Sequence, residues 1–482
     1  MLRENSPEWW ELEGEKKALA TFHQAAERVP AYKDFLKKHN VNPEKVVTIE
    51  DFKKFVPVMT KKDYLRQYPL KDLCWDGDLS RMNVISVSSG STGEPFFWPR
   101  SDIQDDEGVK LHELLLRHNF EVQKKSTLCV VAFSMGVWVA GTYTYTSIRE
   151  LSRLGYQLTT ITPGVEKEDA VRAITKLSPF YEQTIVFGYP PFVKDIIDQV
   201  RRDKTNLQNI DLKFIFAGEN FSETWRSHIV KHALTRNSYY DAISIYGTAD
   251  AAILGFETPQ TIYARNLAVE NNDYYRTLFG SKEILPALFQ YIPPSRFFEN
   301  VDGELVFTTK SGVPLVRYNI RDEGRVIPYR SIQKIPHFIS EGGPSNKRDD
   351  HWKLPFISLE GRADIVTTFY AVNIYPDNIK AGIEDETVRR FVTGKFVAKT
   401  ISKRNLDQQF IIQVELLSGI KPSSDLERSL FKTIISHITQ QNAEYRRLRD
   451  AIGRKSDPAI QLIENGHEIF KVGIKHRWIA SH

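Results

Sequence analysis

Apolar residues recur three and four apart through residues 11–39, and Pro30 interrupts the run, so the pattern predicts two amphipathic helices meeting at a turn. Residues 48–73 repeat that style, with Thr60 and Asp63 spaced as a capping box ahead of Tyr64 and Leu65. From residue 102 to about 250 the pattern changes. Helical stretches at 102–119, 139–153, 168–177, 192–202 and 222–234 alternate with short β-branched runs at 127–133, 157–162, 184–188, 212–217 and 242–246. Strand and helix in strict alternation predict a largely parallel sheet covered on both faces. Ligands of such sheets sit beyond the carboxyl ends of the strands, which singles out the loops 133–141, 188–191, 217–221 and 246–252. Residues 260–330 read as strand-rich and turn-rich, with Asp302-Gly303 marking a hairpin before 304–309. Residues 331–353 are polar and irregular and read as a mobile loop. Beyond Arg362 the order is strand, helix (375–386), two strands (391–402 and 409–417), helix (423–441) and strand. Leu426, Leu430, Ile434 and Ile438 give the last helix one buried stripe. The expected fold is therefore α/β, with a large N-terminal domain over 1–361 and a small α+β domain over 362–482.

Composition narrows the function classes. A chain of 482 residues is long for one core, and 41% hydrophobic with 26% charged residues is the balance of a water-soluble globular protein. With 65 basic and 61 acidic residues the charge nearly cancels, and no basic stripe interleaved with aromatics points to nucleic acid. Cys74 and Cys129 lie far apart in apolar surroundings, which supports neither a disulfide framework nor a cysteine metal site. The first ten residues hold no apolar signal core, and the apolar run at 128–133 is far short of a membrane span. A cytoplasmic location is expected.

One stretch concentrates candidate chemistry. Between a strand at 84–87 and another at 96–98 stand Ser88, Ser89, Gly90, Ser91, Thr92 and Gly93, six residues without a bulky side chain. Two readings fit this composition. Successive N–H groups and hydroxyls can cradle phosphate oxygens, glycine letting the backbone come close; the same residues also make an ordinary polar hairpin turn. The spacing is not that of the loop ending in Gly-Lys-Ser/Thr that opens a helix.

Five short motifs in order give the chain a family resemblance. Val29-Pro30-Ala31-Tyr32 precedes Asp51 to Pro57 and Lys62-Asp63-Tyr64; then come Ser88 to Gly93, Tyr246-Gly247-Thr248-Ala249-Asp250, Arg317-Tyr318-Asn319-Ile320-Arg321-Asp322 and Gly361-Arg362-Ala363-Asp364. Together they resemble the phenylacetate–CoA ligase-like branch of the adenylate-forming superfamily. The resemblance implies ATP-dependent activation of a carboxylic acid, Mg²⁺ as the cation and CoA as the acceptor of the acyl group. It implies that Ser88 to Gly93 hold the β- and γ-phosphates, Asp250 the Mg²⁺ and Asp322 the ribose hydroxyls. It further implies that Tyr246, Gly247 and Thr248, with Ala217, Gly218 and Glu219, line the adenine, that Arg362 contacts the nucleotide, and that Asp364 is the hinge of a domain rotation between two half-reactions. Near the C-terminus it implies a catalytic lysine; Lys475, after Gly473, is favoured, with Lys471 as its rival. An isolated Asp322 among Arg317, Arg321 and Arg325 would otherwise read as a salt-bridged surface acid.

Three departures stand out. Asp250 occupies a position where the family usually has glutamate, and Ala371 one where it has glycine beside the pantetheine tunnel. Residues 257–272 contain neither cysteine nor histidine, so the zinc segment of many members is not expected. Phe133, Trp138 and Tyr189 are candidates for an acyl slot that would suit an aromatic or medium-length acid, although core packing is the ordinary role of such side chains. The alternatives kept beside the thioester ligase are transfer of the acyl group to an amine or carrier protein, and a degenerate nucleotide-binding homologue without turnover.

Overall fold

The computed structural model describes residues 2, 4–88, 96–203, 207–235, 237–280, 285–333, 352–362 and 367–470. The chain divides into two compact units: Met1–Val87, Phe97–Gly188 and Asp195–Ala363 form the first, and Ser88–Phe96, Tyr189–Lys194 and Asp364–His482 the second.

The first unit is built on one mixed sheet of twelve strands. Five neighbours, Leu158–Ile161, Thr127–Ala132, Gln183–Gly188, Leu212–Ala217 and Ala242–Thr248, pair in parallel, as the alternation predicts. Every residue of Thr127–Ala132 and Gln183–Gly188 is buried, which is why these strands read as continuous apolar runs. Their spatial order reverses direction next to Thr127–Ala132: the chain steps outward to Leu158–Ile161, then returns past it to Gln183–Gly188. Right-handed crossovers then put the helix Val139–Arg153 on one face, and Lys167–Leu177, Pro190–Arg202 and Glu223–His232 on the other. The reversal falls between the strand ends at Ala132 and Gly188, which are cross-strand partners, the place where open sheets of this kind generally take ligands.

The rest of the sheet is antiparallel, running through Ala252–Phe256, Ala287–Gln290, Phe356–Arg362, Leu315–Ile327, Glu304–Thr309 and Phe297–Val301. Asp302 and Gly303 form the expected two-residue turn, both with positive φ (53° and 85°). One expectation fails. Where the pattern predicts strands and turns from residue 260, the chain forms the helices Pro259–Glu270 and Asn272–Phe279. Thr258 caps the first, with Pro259 in its opening position, and Asn271 caps the second. Gln260, Thr261, Ile262, Ala264, Arg265 and Ala268 are all buried, so polar groups occupy inward positions and leave no amphipathic stripe to read.

In the leader, Pro7–Arg28 and Pro30–Lys38 meet at Pro30 as expected. Thr60 and Asp63 exchange their capping bonds, at 2.6 and 3.2 Å. No long helix follows. The helix Ile49–Phe55 is short, and Met59–Thr60 instead pairs in parallel with Tyr318 and Asn319. Arg317, buried beside that pairing, fastens the leader down. Its guanidinium meets Glu299 at 3.1 and 3.0 Å and donates to the carbonyls of Lys53 (2.7 Å) and Val56, where the short helix ends. Burial pushes the Glu299 carboxyl above its ordinary value, and Arg317 opposes that shift.

The second unit carries the hairpin Thr367–Phe369 and Val372–Ile374 and the three-stranded sheet Val392–Ser402, Gln408–Leu416 and Ala459–Ile463. The expected stripe on Ser424–Gln441 is buried in one core with Phe396, Phe410, Ile412 and Val414. A helix the pattern did not announce, Ala443–Ile452, follows it. Residues 334–351, which read as a loop, lie outside the described residues. Among the described residues no helix is long and apolar enough to cross a membrane.

Replacing Arg317 by Gln strands the buried Glu299 carboxylate and is expected to cost about 3–5 kcal/mol, read as a lowered urea midpoint. Arg317→Lys should recover only part, because an ammonium cannot reproduce the guanidinium fork.

Candidate active site

The parallel strands deliver their carboxyl ends to one edge. Ala217 closes its strand and pairs with Ile245, so Gly218, with φ of 97°, emerges beside Tyr246, followed by the half-buried Glu219. Tyr246, Gly247 and Thr248 end the neighbouring strand, which turns and returns as Ala252–Phe256 with a register break between Tyr246 and Gly247. The turn is fastened from two sides. Thr248 Oγ1 accepts the Ala251 N–H at 3.1 Å, and Arg296, paired with Glu107 at 2.8 Å, donates to the Ala251 carbonyl at 2.8 Å.

Two crossed hydrogen bonds join this turn to the strand Leu315–Ile327. The Tyr246 hydroxyl donates to Asp322 Oδ2, and the Tyr318 hydroxyl donates to Asp250 Oδ2 at 2.6 Å. Each tyrosine stands four residues before the aspartate of its own segment yet bonds the aspartate of the other. All four side chains are buried. A buried carboxylate is costly without donors, and each hydroxyl supplies one. The Tyr246 ring also stacks on Phe289, with centroids 5.7 Å apart. The basic neighbours of Asp322 in sequence are drawn to other acids: Arg317 to Glu299, and Arg321 to Glu304 at 3.3 Å. A hard divalent cation takes oxygen ligands, and Asp250, with Oδ2 occupied by Tyr318, offers Oδ1.

Behind the site lies a buried quartet that sequence reading missed. Arg226 bonds Glu223 at 2.8 Å and Glu257 at 2.6 Å, and Arg265 lies 3.3 Å from Glu257 and also bonds Glu223. Glu257 accepts the Ser244 N–H at 2.8 Å, and Arg226 donates to the Ala242 carbonyl. The strand that ends in Tyr246 is thus anchored two residues upstream by a neutral set of two cations and two anions. Burial alone would raise the Glu223 carboxyl; the two guanidinium groups hold it below the ordinary range. Only the i, i+3 spacing of Glu223 and Arg226 is visible in the sequence, and it is common on exposed helices.

On the far side of Asp322 the strand pairing breaks. Asp322 pairs with Arg362 across the sheet, and the register shifts between Glu323 and Gly324. A Cβ at Gly324 would stand 2.0 Å from the Ser358 carbonyl oxygen. At the sheet reversal, Phe133 follows Ala132 and is buried, as is Trp138, and the Val87 N–H donates to the Val137 carbonyl at 2.9 Å. This turn rests on the helix Val139–Arg153 at Gly141, where a Cβ would meet the Ser134 carbonyl oxygen at 2.4 Å. Tyr189, half-buried after Gly188, groups with the second unit. The strands on either side of the serine-glycine stretch, Val84–Ser88 and Phe96–Arg100, pair with each other, and Ser88 is buried. Ser89, Gly90, Ser91, Thr92, Gly93, Asp364, Lys471 and Lys475 lie outside the described residues, and Arg362 is placed by its backbone alone.

No protein-family model matches the chain. It is 22% identical over 365 residues to a phenylacetate-coenzyme A ligase of Aromatoleum evansii, covering 74% of this chain and 71% of that protein. With the Escherichia coli K12 phenylacetate-coenzyme A ligase it shares 21% identity over 404 residues, 82% of this chain and 80% of the relative. The fold matches a 2-hydroxyisobutyryl-CoA ligase, crystallised with 2-HIB-AMP and CoA in the thioesterification state, with a TM-score of 0.65 at 14% identity over 98% of this chain and 89% of that one. The chain is thus similar to phenylacetate-coenzyme A ligases in sequence and shares its fold with a solved CoA ligase.

The hairpin of the second unit turns through Tyr370 and Ala371, both with positive φ (48° and 62°). A two-residue turn of that geometry favours glycine, so Ala371 sits where its Cβ carries a backbone cost. The Tyr370 N–H donates to Gln408 Oε1 at 2.7 Å and the Tyr370 ring packs on Phe369, contacts that hold the turn in place. A methyl group is therefore retained at the position where the resemblance implies glycine.

Gly324→Ala is expected to destabilise the protein by about 3 kcal/mol, the upper part of the range for overpacking, because a backbone carbonyl must move. The displaced strand carries Asp322, so the variant should show a clearly lowered melting temperature, whereas Gly303→Ala, whose Cβ meets nothing within 4 Å, should lose less despite strain at its positive φ.

Proposed function

We propose that this chain activates a carboxylic acid, aromatic or of medium length, with ATP to give an acyl-adenylate and pyrophosphate, and then transfers the acyl group to CoA as a thioester. The observation that carries the proposal is the crossed pair of tyrosine–aspartate hydrogen bonds, which brings Asp250 and Asp322 together at the carboxyl edge of a parallel sheet. Relatives named as phenylacetate-coenzyme A ligases, and a solved 2-hydroxyisobutyryl-CoA ligase holding an acyl-AMP and CoA, support it.

In this reading Asp322 accepts hydrogen bonds from the ribose hydroxyls, with Tyr246 setting the carboxylate's orientation. Ala217, Gly218, Glu219, Gly247 and Thr248 line the base, and Ser88 to Gly93 donate to the phosphates. Mg²⁺ at Asp250 would neutralise phosphate charge as pyrophosphate departs. Holding two anions in line is the main task of such a site, so positioning and fixed positive charge supply most of the rate. Lys475, or else Lys471, brings charge to the acyl carboxylate, and rotation about Asp364 separates the two half-reactions. The acyl slot lies at the sheet reversal beside Phe133 and Trp138. The cytoplasm, where ATP and CoA are at hand, is the proposed location. The Ala371 methyl group favours one second reading, transfer to an amine in place of CoA.

Pyrophosphate release should require one member of a panel of aryl, aryl-acetic and fatty acids, should accelerate with CoA, and should fall at least 100-fold in Asp322→Ala. Acid-dependent release indifferent to CoA would select the amine reading. No release with any acid, although ATP binds, would overturn the proposal in favour of a nucleotide-binding protein without turnover.

A further inference from the structure

At the opposite edge of the parallel sheet lies a cluster that the adenylation chemistry does not use. Helices Pro190–Arg202 and Glu223–His232 are consecutive crossovers on one face, each leaving the carboxyl edge and returning to the amino edge. Near their returning ends, Asp198 of the first meets His228 and His232 of the second. One ligand atom from each of the three lies within 4.8 Å of the others, and His232 Nδ1 is 3.8 Å from Asp198 Oδ1. The two imidazole rings stand 3.8 Å apart, and His228 Nε2 and His232 Nδ1 are shielded from solvent.

We propose that Asp198, His228 and His232 form a binding site for a divalent transition cation of the zinc type, which clamps the two helices together. Histidines four apart on one helix face present both rings to one point, an arrangement that suits zinc. The aspartate supplies a third ligand from a separate element, leaving a fourth position for water. Tetrahedral zinc with bonds of 2.0–2.1 Å places its ligands about 3.3 Å apart, so the three ligand atoms, within 4.8 Å of one another, have to close by at most about 1.5 Å. Imidazole with carboxylate selects zinc, copper or nickel over magnesium, which prefers oxygen alone. His232 is also the last residue of its helix, where the backbone dipole favours positive charge. Arg201 reaches the His232 carbonyl at 3.4 Å, and Lys231 adjoins it; these charges oppose a cation and leave the carboxylate of Asp198 to offset them. The site is independent of the adenylation reading: it lies on helices at the other edge of the sheet and requires no nucleotide.

The test is calorimetric titration of the chelator-treated full chain with ZnCl₂, with MgCl₂ as the control cation. Wild type should bind one Zn²⁺ that the double variant His228→Ala/His232→Ala binds at least 100-fold more weakly, and Asp198→Asn should weaken it about tenfold. Magnesium should not compete. Zinc should raise the melting temperature of wild type and not that of the double variant. Should the alanine pair lower the metal-free melting temperature, His232→Gln alone supplies the comparison. Equal zinc affinity in wild type and variants, or no binding by wild type, would overturn the proposal.

Discussion

Two hydrogen bonds between tyrosine hydroxyls and buried carboxylates hold the candidate site of this protein together. Tyr246 reaches Asp322 and Tyr318 reaches Asp250, so neither aspartate can settle without the strand that carries its partner. The arrangement places two acceptor groups on rigid elements and keeps both away from bulk water, where their interactions are stronger. Supports on every side serve that geometry. The quartet of Glu223, Arg226, Glu257 and Arg265 fixes the strand ending in Tyr246, Arg296 fixes the turn that follows, and the register break at Gly324 sets the strand beyond Asp322.

The sheet explains why the candidate groups collect where they do. Its parallel half needs crossover helices, and those return every strand to the same edge, where Ala217, Gly218 and Tyr246 become neighbours. Its antiparallel half needs none, and brings Asp322 back to that edge on a long strand. Arg317, on the same strand, fastens the leader through two carbonyls and Glu299, so the segment Arg317 to Asp322 joins a structural anchor and a candidate ligand group.

Much of this was legible in the chain. Period-two and period-3.6 patterns identify the parallel strands and their helices because each helix shows one face to the sheet. Pro259–Glu270 escaped because Gln260, Thr261 and Arg265 are buried, Thr261 and Arg265 through hydrogen bonds, and a polar residue facing inward looks like one facing water. The crossed bonds were partly written in the sequence: both segments carry tyrosine four residues before aspartate. Spacing alone implies pairing within each segment, and only the strand geometry exchanges the partners. The quartet is long-range, with Arg265 forty-two residues from Glu223, and no local pattern records it.

The most direct measurement is equilibrium binding of AMP to wild type and to Asp322→Asn by isothermal titration, with thermal melting of both. Asparagine can still accept the Tyr246 hydroxyl, so the fold is expected to stand while the ribose loses a charged acceptor. The account predicts affinity lower by about tenfold or more, some 1.4 kcal/mol, at a nearly unchanged melting temperature. Equal affinity in the two proteins would contradict it, because Asp322 would then be a buried structural acid and the nucleotide would bind elsewhere.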